Sequence, residues 1–195
     1  MAENNDIKSL LTNENGELSA ELYVDCSGMR SKLLGESLKV PFLPCDDIFF
    51  SDTALATQIP YADTNSPISS CTISTAQDAG WIWDIGLQHR RGVGYVYSSQ
   101  FSTQDQAYDT LAQYLGDKCK IDKIKKIEFT PGHREIFWKN NCVAVGLSAG
   151  FLEPLEASAL MLVETSANLI AEQLPANTQQ MEMVAKRFNA SMLMK

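Results

Sequence analysis

Residues 142–174 constrain the fold more tightly than any other stretch. Cys142-Val143-Ala144-Val145 is an apolar run of buried-strand type, and Gly146-Leu147-Ser148-Ala149-Gly150 is a turn of small residues. After Pro154, the residues Leu160, Leu162, Val163, Ala167, Ile170 and Leu174 recur at helical spacing. Strand, tight turn and helix in succession form the unit of open α/β sheets. Ligands of such sheets bind outside the carboxyl ends of the strands, where small residues admit a cofactor and helix amides attract anions. The segment predicts an α/β fold with a ligand at this turn. Glu153 and Glu156 fall in the expected first turn of the helix, where the macrodipole alone favours carboxylates.

A second strand, Ala20 to Val24, ends in Asp25-Cys26-Ser27-Gly28, which by itself reads as a turn closed by an Asx-type hydrogen bond. Ile7 to Thr12, the turn Asn13 to Gly16 and Leu18 to Val24 predict a hairpin whose second strand runs into that turn. Strand-like runs at Ile48 to Ile59, Ile68 to Thr75, Trp81 to Leu87 and Gly94 to Ser99 suggest an antiparallel layer. A helix capped by Thr103 follows, with Ala107, Leu111, Tyr114 and Leu115 as its apolar stripe. Strands return at Lys126 to Thr130 and Glu135 to Trp138. Met181, Val184, Phe188 and Met192 mark one face of a last helix over Gln179 to Leu193.

The formal charge of -8 over 195 residues argues against nucleic acid as a partner. The five cysteines, Cys26, Cys45, Cys71, Cys119 and Cys142, are scattered and contain no C-x-x-C pair, so neither a disulfide framework nor a zinc site is expected. Their pattern fits a reducing cytoplasm. His133 has no ligand-spaced partner, and no metal is expected. The acidic start Met1 to Asp6 is unlike a signal peptide, and no apolar run reaches membrane-spanning length. His89-Arg90-Arg91 reads as a solvated loop, and the lysines at 118, 120, 123, 125 and 126 as a solvated turn and strand edge.

Between the two strand-end turns stands Gly80-Trp81-Ile82-Trp83-Asp84-Ile85-Gly86. The three motifs, in this order, resemble the flavin-dependent halogenases of the tryptophan halogenase family, from about Leu18 to about Leu174. The middle one is similar to the family's W-x-W-x-I-P signature, with Gly86 in place of Pro. The resemblance implies a partial FAD-binding domain of the aromatic-hydroxylase type. It would comprise FAD-side segments at 1–47 and 126–174, an antiparallel insertion at 48–101 and the start of a helical region at 175–195. The G-x-G-x-x-G turn that receives the pyrophosphate in such domains is missing, as is the family's catalytic lysine. An internal piece of a longer flavoprotein is therefore expected, prone to self-association.

By the same resemblance, Asp25, Ser27, Gly28, Gly146, Leu147, Ala149 and Leu155 contact FAD, and Ser158 and Ala159 hold the halide beside it. Glu156 matches a glutamate that orients the halogenating species or takes the ring proton. Position 157 is Ala where many relatives have Ser. Trp81 and Trp83, which alternation places on one sheet face, would act as a barrier that passes halide but keeps organic substrate from the flavin; read without the resemblance they would be core packing. The implied reaction uses reduced FAD from a separate flavin reductase, oxygen, and chloride or bromide to halogenate a small tryptophan- or indole-like aromatic substrate. A homodimer is compatible with it. Two alternatives stay open on sequence: a flavin-dependent aromatic hydroxylase, and a non-catalytic chain that only binds a partner.

Overall fold

The computed structural model describes residues 5–61, 63, 65–116, 123–152 and 154–193, except the side chain of Glu156. The chain forms two compact units, Met1–Cys45 with Gly132–Lys195, and Asp46–Pro131. The second unit is wider than the 48–101 insertion drawn from sequence, because the strand and helix after residue 101 pack with its sheet.

The first unit opens with the hairpin β1 (Leu10–Thr12) and β2 (Gly16–Leu18), Leu10 opposite Leu18. β3 (Tyr23–Asp25) follows, then a 3-10 turn at Gly28–Arg30, a π-helical turn at Lys32–Ser37, and β4 (Phe42–Pro44). The second unit contains β5 (Thr53–Pro60), β6 (Ile73–Gln77), β7 (Gly80–Gly86), β8 (Arg90–Tyr97), helix α1 (Gln104–Leu115) and β9 (Lys125–Glu128). Back in the first unit come β10 (Gly132–Arg134), β11 (Trp138–Lys139), β12 (Cys142–Ala144), a 3-10 turn at Gly146–Ser148, and β13 (Gly150–Phe151). A 3-10 turn at Leu155–Ala157 leads into helix α2 (Ser158–Glu172), and α3 (Met181–Leu193) ends the described chain. No described helix is long and apolar enough to cross a membrane.

In the first unit β12 pairs in parallel with β3 and antiparallel with β11. Its core gathers Leu34, Leu38, Trp138, Val143, Phe188 and Met192 around that sheet. Two asparagines stand in for backbone. Asn189 of α3 accepts from the amides of Phe137 and Trp138 at 2.9 and 2.8 Å and donates to the Trp138 carbonyl at 2.8 Å. Asn141 makes the matching pair with the amide and carbonyl of Ile7, at 2.9 and 3.0 Å.

The second unit is a five-stranded antiparallel sheet in the order β6-β7-β8-β5-β9. One face, with Leu55, Ile59, Ile82, Val93, Tyr95 and Tyr97, is buried beneath Ala107, Leu111 and Leu115 of α1. Thr103 and Gln106 form a reciprocal capping box at the start of α1, as the cap assigned from sequence requires. Lys125 and Lys126 lie on the edge strand β9, where charge discourages further strand pairing. Of the lysines grouped with them, those at 118 and 120 lie outside the described residues.

Three expectations about elements change. The returning strand Leu18 to Val24 breaks: β2 stops at Leu18, and β3 joins a different sheet, because its partner lies more than a hundred residues ahead. Of Glu135 to Trp138, residues 135–137 are a link between β10 and β11, and only Trp138 is in a strand, as the first residue of β11. The apolar stripe of α2 is split. Leu162 and Ile170 pack against the core with Leu169, whereas Leu160 is 71% and Leu174 61% exposed.

Candidate functional site

β3 and β12 lie side by side with Tyr23 opposite Cys142 and Asp25 opposite Ala144, so their carboxyl ends release two turns next to each other. These are the two small-residue turns picked out from sequence. Gly28 takes φ +74° and Gly146 φ +68°, conformations that cost a Cβ-bearing residue but not glycine. A Cβ at Gly28 would meet nothing within 4 Å, so the turn faces open space. The Val145 amide and the Ser148 hydroxyl both donate to the Asp25 carbonyl, and the same hydroxyl lies 2.8 Å from the Val145 carbonyl. Ser148 thus ties one turn to the other, a role its sequence position does not announce.

Asp25 is 1% exposed, and its carboxylate faces inward. Oδ1 accepts from the Ser27 amide and hydroxyl at 3.0 and 2.6 Å, and Oδ2 from the amides of Leu33 and Leu34 at 2.9 Å each. Ser31, buried at φ +47°, adds a longer contact of 3.4 Å. Burial opposes ionisation of Asp25, but the bonds from Ser27, Leu34 and Leu33 together outweigh it and hold the carboxyl below its usual range. Asp25 organises the turn that carries Ser27 and Gly28. Beside it, Cys142 is buried, and burial followed by the Asp25 charge pushes its thiol up to about 12.

At the other turn, Leu147 and Leu155 are exposed apolar side chains and Ala149 is buried. The long helix begins later than expected. Leu155–Ala157 is a separate 3-10 turn, Ala157 sits at φ +54°, and the α-helix proper opens with Ser158 and Ala159, without a side-chain cap. Residue 156 therefore lies on the turn before α2 and not in its first turn; Glu153 and the Glu156 side chain lie outside the described residues.

Trp81 and Trp83 belong to the second unit. Alternation along β7 sends them to the face opposite α1, so they are not part of the core that Ile82 enters. Their ring centroids are 6.2 Å apart with planes at 63°, an edge-to-face pair. Trp83 faces Gly94 of β8, and a Cβ at Gly94 would overlap the indole, so that glycine lets the ring lie against the sheet. The Trp81 Nε1 is buried without a hydrogen-bond partner. Gly86 also has a local reason. A Cβ there would come within 2.8 Å of Ile68 Cγ2 and 3.2 Å of Tyr61 Oη, so a proline would crowd both side chains.

The basic triplet is not a solvated loop throughout. Arg90 and Arg91 start β8, and Arg91 forms a two-pronged ion pair with Asp84, the residue after Trp83 in the W-x-W motif. The detectable signal is opposite charge on the same face of a hairpin, diagonally placed.

A mixed α/β fold with several sheets and C-terminal helices matches flavin-dependent halogenase structures. A family model described as tryptophan halogenase matches residues 1–195, and the chain belongs to that family. It is 38% identical over 170 residues to tryptophan 6-halogenase SttH of Streptomyces toxytricini, covering 87% of this chain and 32% of that protein. To tryptophan 7-halogenase RebH of Lentzea aerocolonigenes it is 33% identical over 186 residues, covering 95% and 35%. The crystal structure of tryptophan halogenase from Shewanella frigidimarina matches with a TM-score of 0.93 and 48% identity over 100% of this chain and 38% of that one. The chain thus spans about a third of the length of these curated relatives.

Proposed function

We propose that this chain carries part of an FAD-dependent halogenase, in which reduced FAD, oxygen and chloride or bromide halogenate a tryptophan- or indole-like ring. A separate flavin reductase supplies the reduced cofactor. The observation that carries this is the pairing of β3 and β12, which sets two glycine turns of positive φ beside each other at the ends of parallel strands. The residues fit the cofactor: Gly28 opens on free space, and Gly146 at φ +68° starts the neighbouring turn. Bound FAD would supply the oxygen activation by which halide is oxidised.

The chain's own residues then divide the work. Ser27 and Gly28 line one side of the cofactor, and Gly146, Leu147, Ala149 and Leu155 the other. Asp25 acts one step back, holding the first turn in shape. Ser158 and Ala159, the first two residues of α2, hold the halide at the positive end of the helix. Glu156 orients the halogenating species or takes the ring proton at the aromatic pocket. Trp81 and Trp83 exclude organic substrate from the flavin.

Titration of the purified chain with FAD, followed by flavin fluorescence and melting temperature, tests this. A ligand that binds only the folded state raises stability by mass action, by roughly 2.7 kcal/mol at a hundredfold excess over Kd. Saturable binding with a raised melting point is expected, weakened by Gly28→Val, which fills the open turn and strains its φ. A cooperatively folded chain that binds no FAD overturns the cofactor assignment.

A further inference from the structure

The sheet of the second unit contains a half-buried ion pair that the halogenase assignment does not use. Asp84 lies in β7 directly after Trp83, is 3% exposed, and points to the face opposite the indoles. Arg91 of β8 grips it with two bonds, Nε to Oδ1 at 2.9 Å and Nη2 to Oδ2. Tyr114 Oη of α1 donates to Oδ2 at 3.0 Å. One carboxylate therefore joins two strands and the helix that covers them. Burial works against its ionisation, but the bonds from Arg91 and Tyr114 hold the carboxyl below its usual range, and Arg91 is raised in turn by the same bond.

Such a pair adds little net stability over a well-packed apolar substitute; what it adds is geometry, because the planar guanidinium fork accepts a carboxylate in few orientations. The geometry matters at this place in the chain. Successive side chains of a strand leave on opposite faces, so fixing the Asp84 carboxylate fixes the peptide that directs Trp83. Trp83 has little tolerance for displacement, since its ring lies against the Gly94 backbone and at edge-to-face distance from Trp81.

We propose that Asp84, Arg91 and Tyr114 form a clamp that positions the Trp81 and Trp83 indoles from the opposite face of the sheet. Asp84 is then a positioning residue for the barrier. Its functional meaning rests on the role given to the two tryptophans above.

Two indoles this close couple excitonically, and the resulting circular-dichroism couplet reports their mutual orientation, with Trp81→Phe supplying the uncoupled baseline. Asp84→Asn and Arg91→Met are expected to lose the couplet while unfolding remains cooperative; Arg91→Lys, which keeps the charge without the fork, retains part of it. A folded Asp84→Asn with an unchanged couplet overturns the clamp, as does a parent spectrum identical to that of Trp81→Phe. Should Asp84→Asn fail to fold, Tyr114→Phe decides: it removes one bond and leaves the ion pair, so a weakened couplet supports the clamp and an unchanged one sinks it. The couplet is read without flavin or halide. Failure to bind FAD alongside a clamp-dependent couplet would therefore count against the flavin assignment alone.

Discussion

Asp25 illustrates how a residue can hold a turn in shape while its own side chain faces inward. Both carboxylate oxygens are taken up by donors of its own chain, from Ser27, Leu33 and Leu34. Asp25→Asn replaces one acceptor by an NH2 group aimed at existing donors, leaving buried amides unpaired. The expected cost is about 1–3 kcal/mol, read as a lower urea midpoint with unchanged slope. FAD affinity should fall with it, since the Ser27-Gly28 turn loses its anchor. A variant of parental stability would show that the inward bonds contribute nothing. The glycines of this site were legible in the sequence because positive φ is a local demand that glycine meets locally. The Asx-type bond from the Ser27 amide to Asp25 was legible for the same reason, whereas Ser148 was not, because its partner lies 123 residues away.

Among the elements, α1 was the most legible, and the reason is that its start is written in four consecutive residues. Thr103 accepts from the Gln106 amide while the Gln106 side chain accepts from the Thr103 amide. Thr103→Ala removes the cap from the helix that covers the second unit's core, at an expected cost of about 1 kcal/mol. Thermal unfolding of the variant measures it; Thr103→Asn, which can still cap, should recover most of the loss. Strand pairing could not be read in the same way. β2 and β3 occupy one continuous strand-like run, and what separates them is a partner strand, β12, brought in from far along the chain. The apolar stripe of α2 shows the opposite error. Its periodicity is real, but hydrophobic spacing predicts which residues share a face and not how much of that face is covered. The Asp84–Arg91 pair was missed for a third reason, since a charged strand residue reads as solvent-facing until its partner is placed beneath the same helix.

On the scale of the whole chain, among the described residues each compact unit contains one buried carboxylate held ionised by its hydrogen bonds, Asp25 in the first and Asp84 in the second. In both, the folded state keeps the carboxyl below its usual value, while in the unfolded chain it titrates near the ordinary aspartate value of about 3.9. The unfolded state therefore binds protons first as pH falls. The stability these groups contribute is fully present above the unfolded value and is lost as pH drops through the depressed folded one. Folding free energy attributable to them should stay level from neutral pH down to about 4 and decline below it. Urea titrations across that range, on the parent chain and on Asp25→Asn and Asp84→Asn, separate the contributions. Each variant should be weaker at neutral pH and show a shallower acid decline, because the group that would have taken up the proton is gone. Parallel curves for parent and variants would mean that neither aspartate gains its ionisation from folding, and that the acid sensitivity of the chain arises elsewhere on its surface.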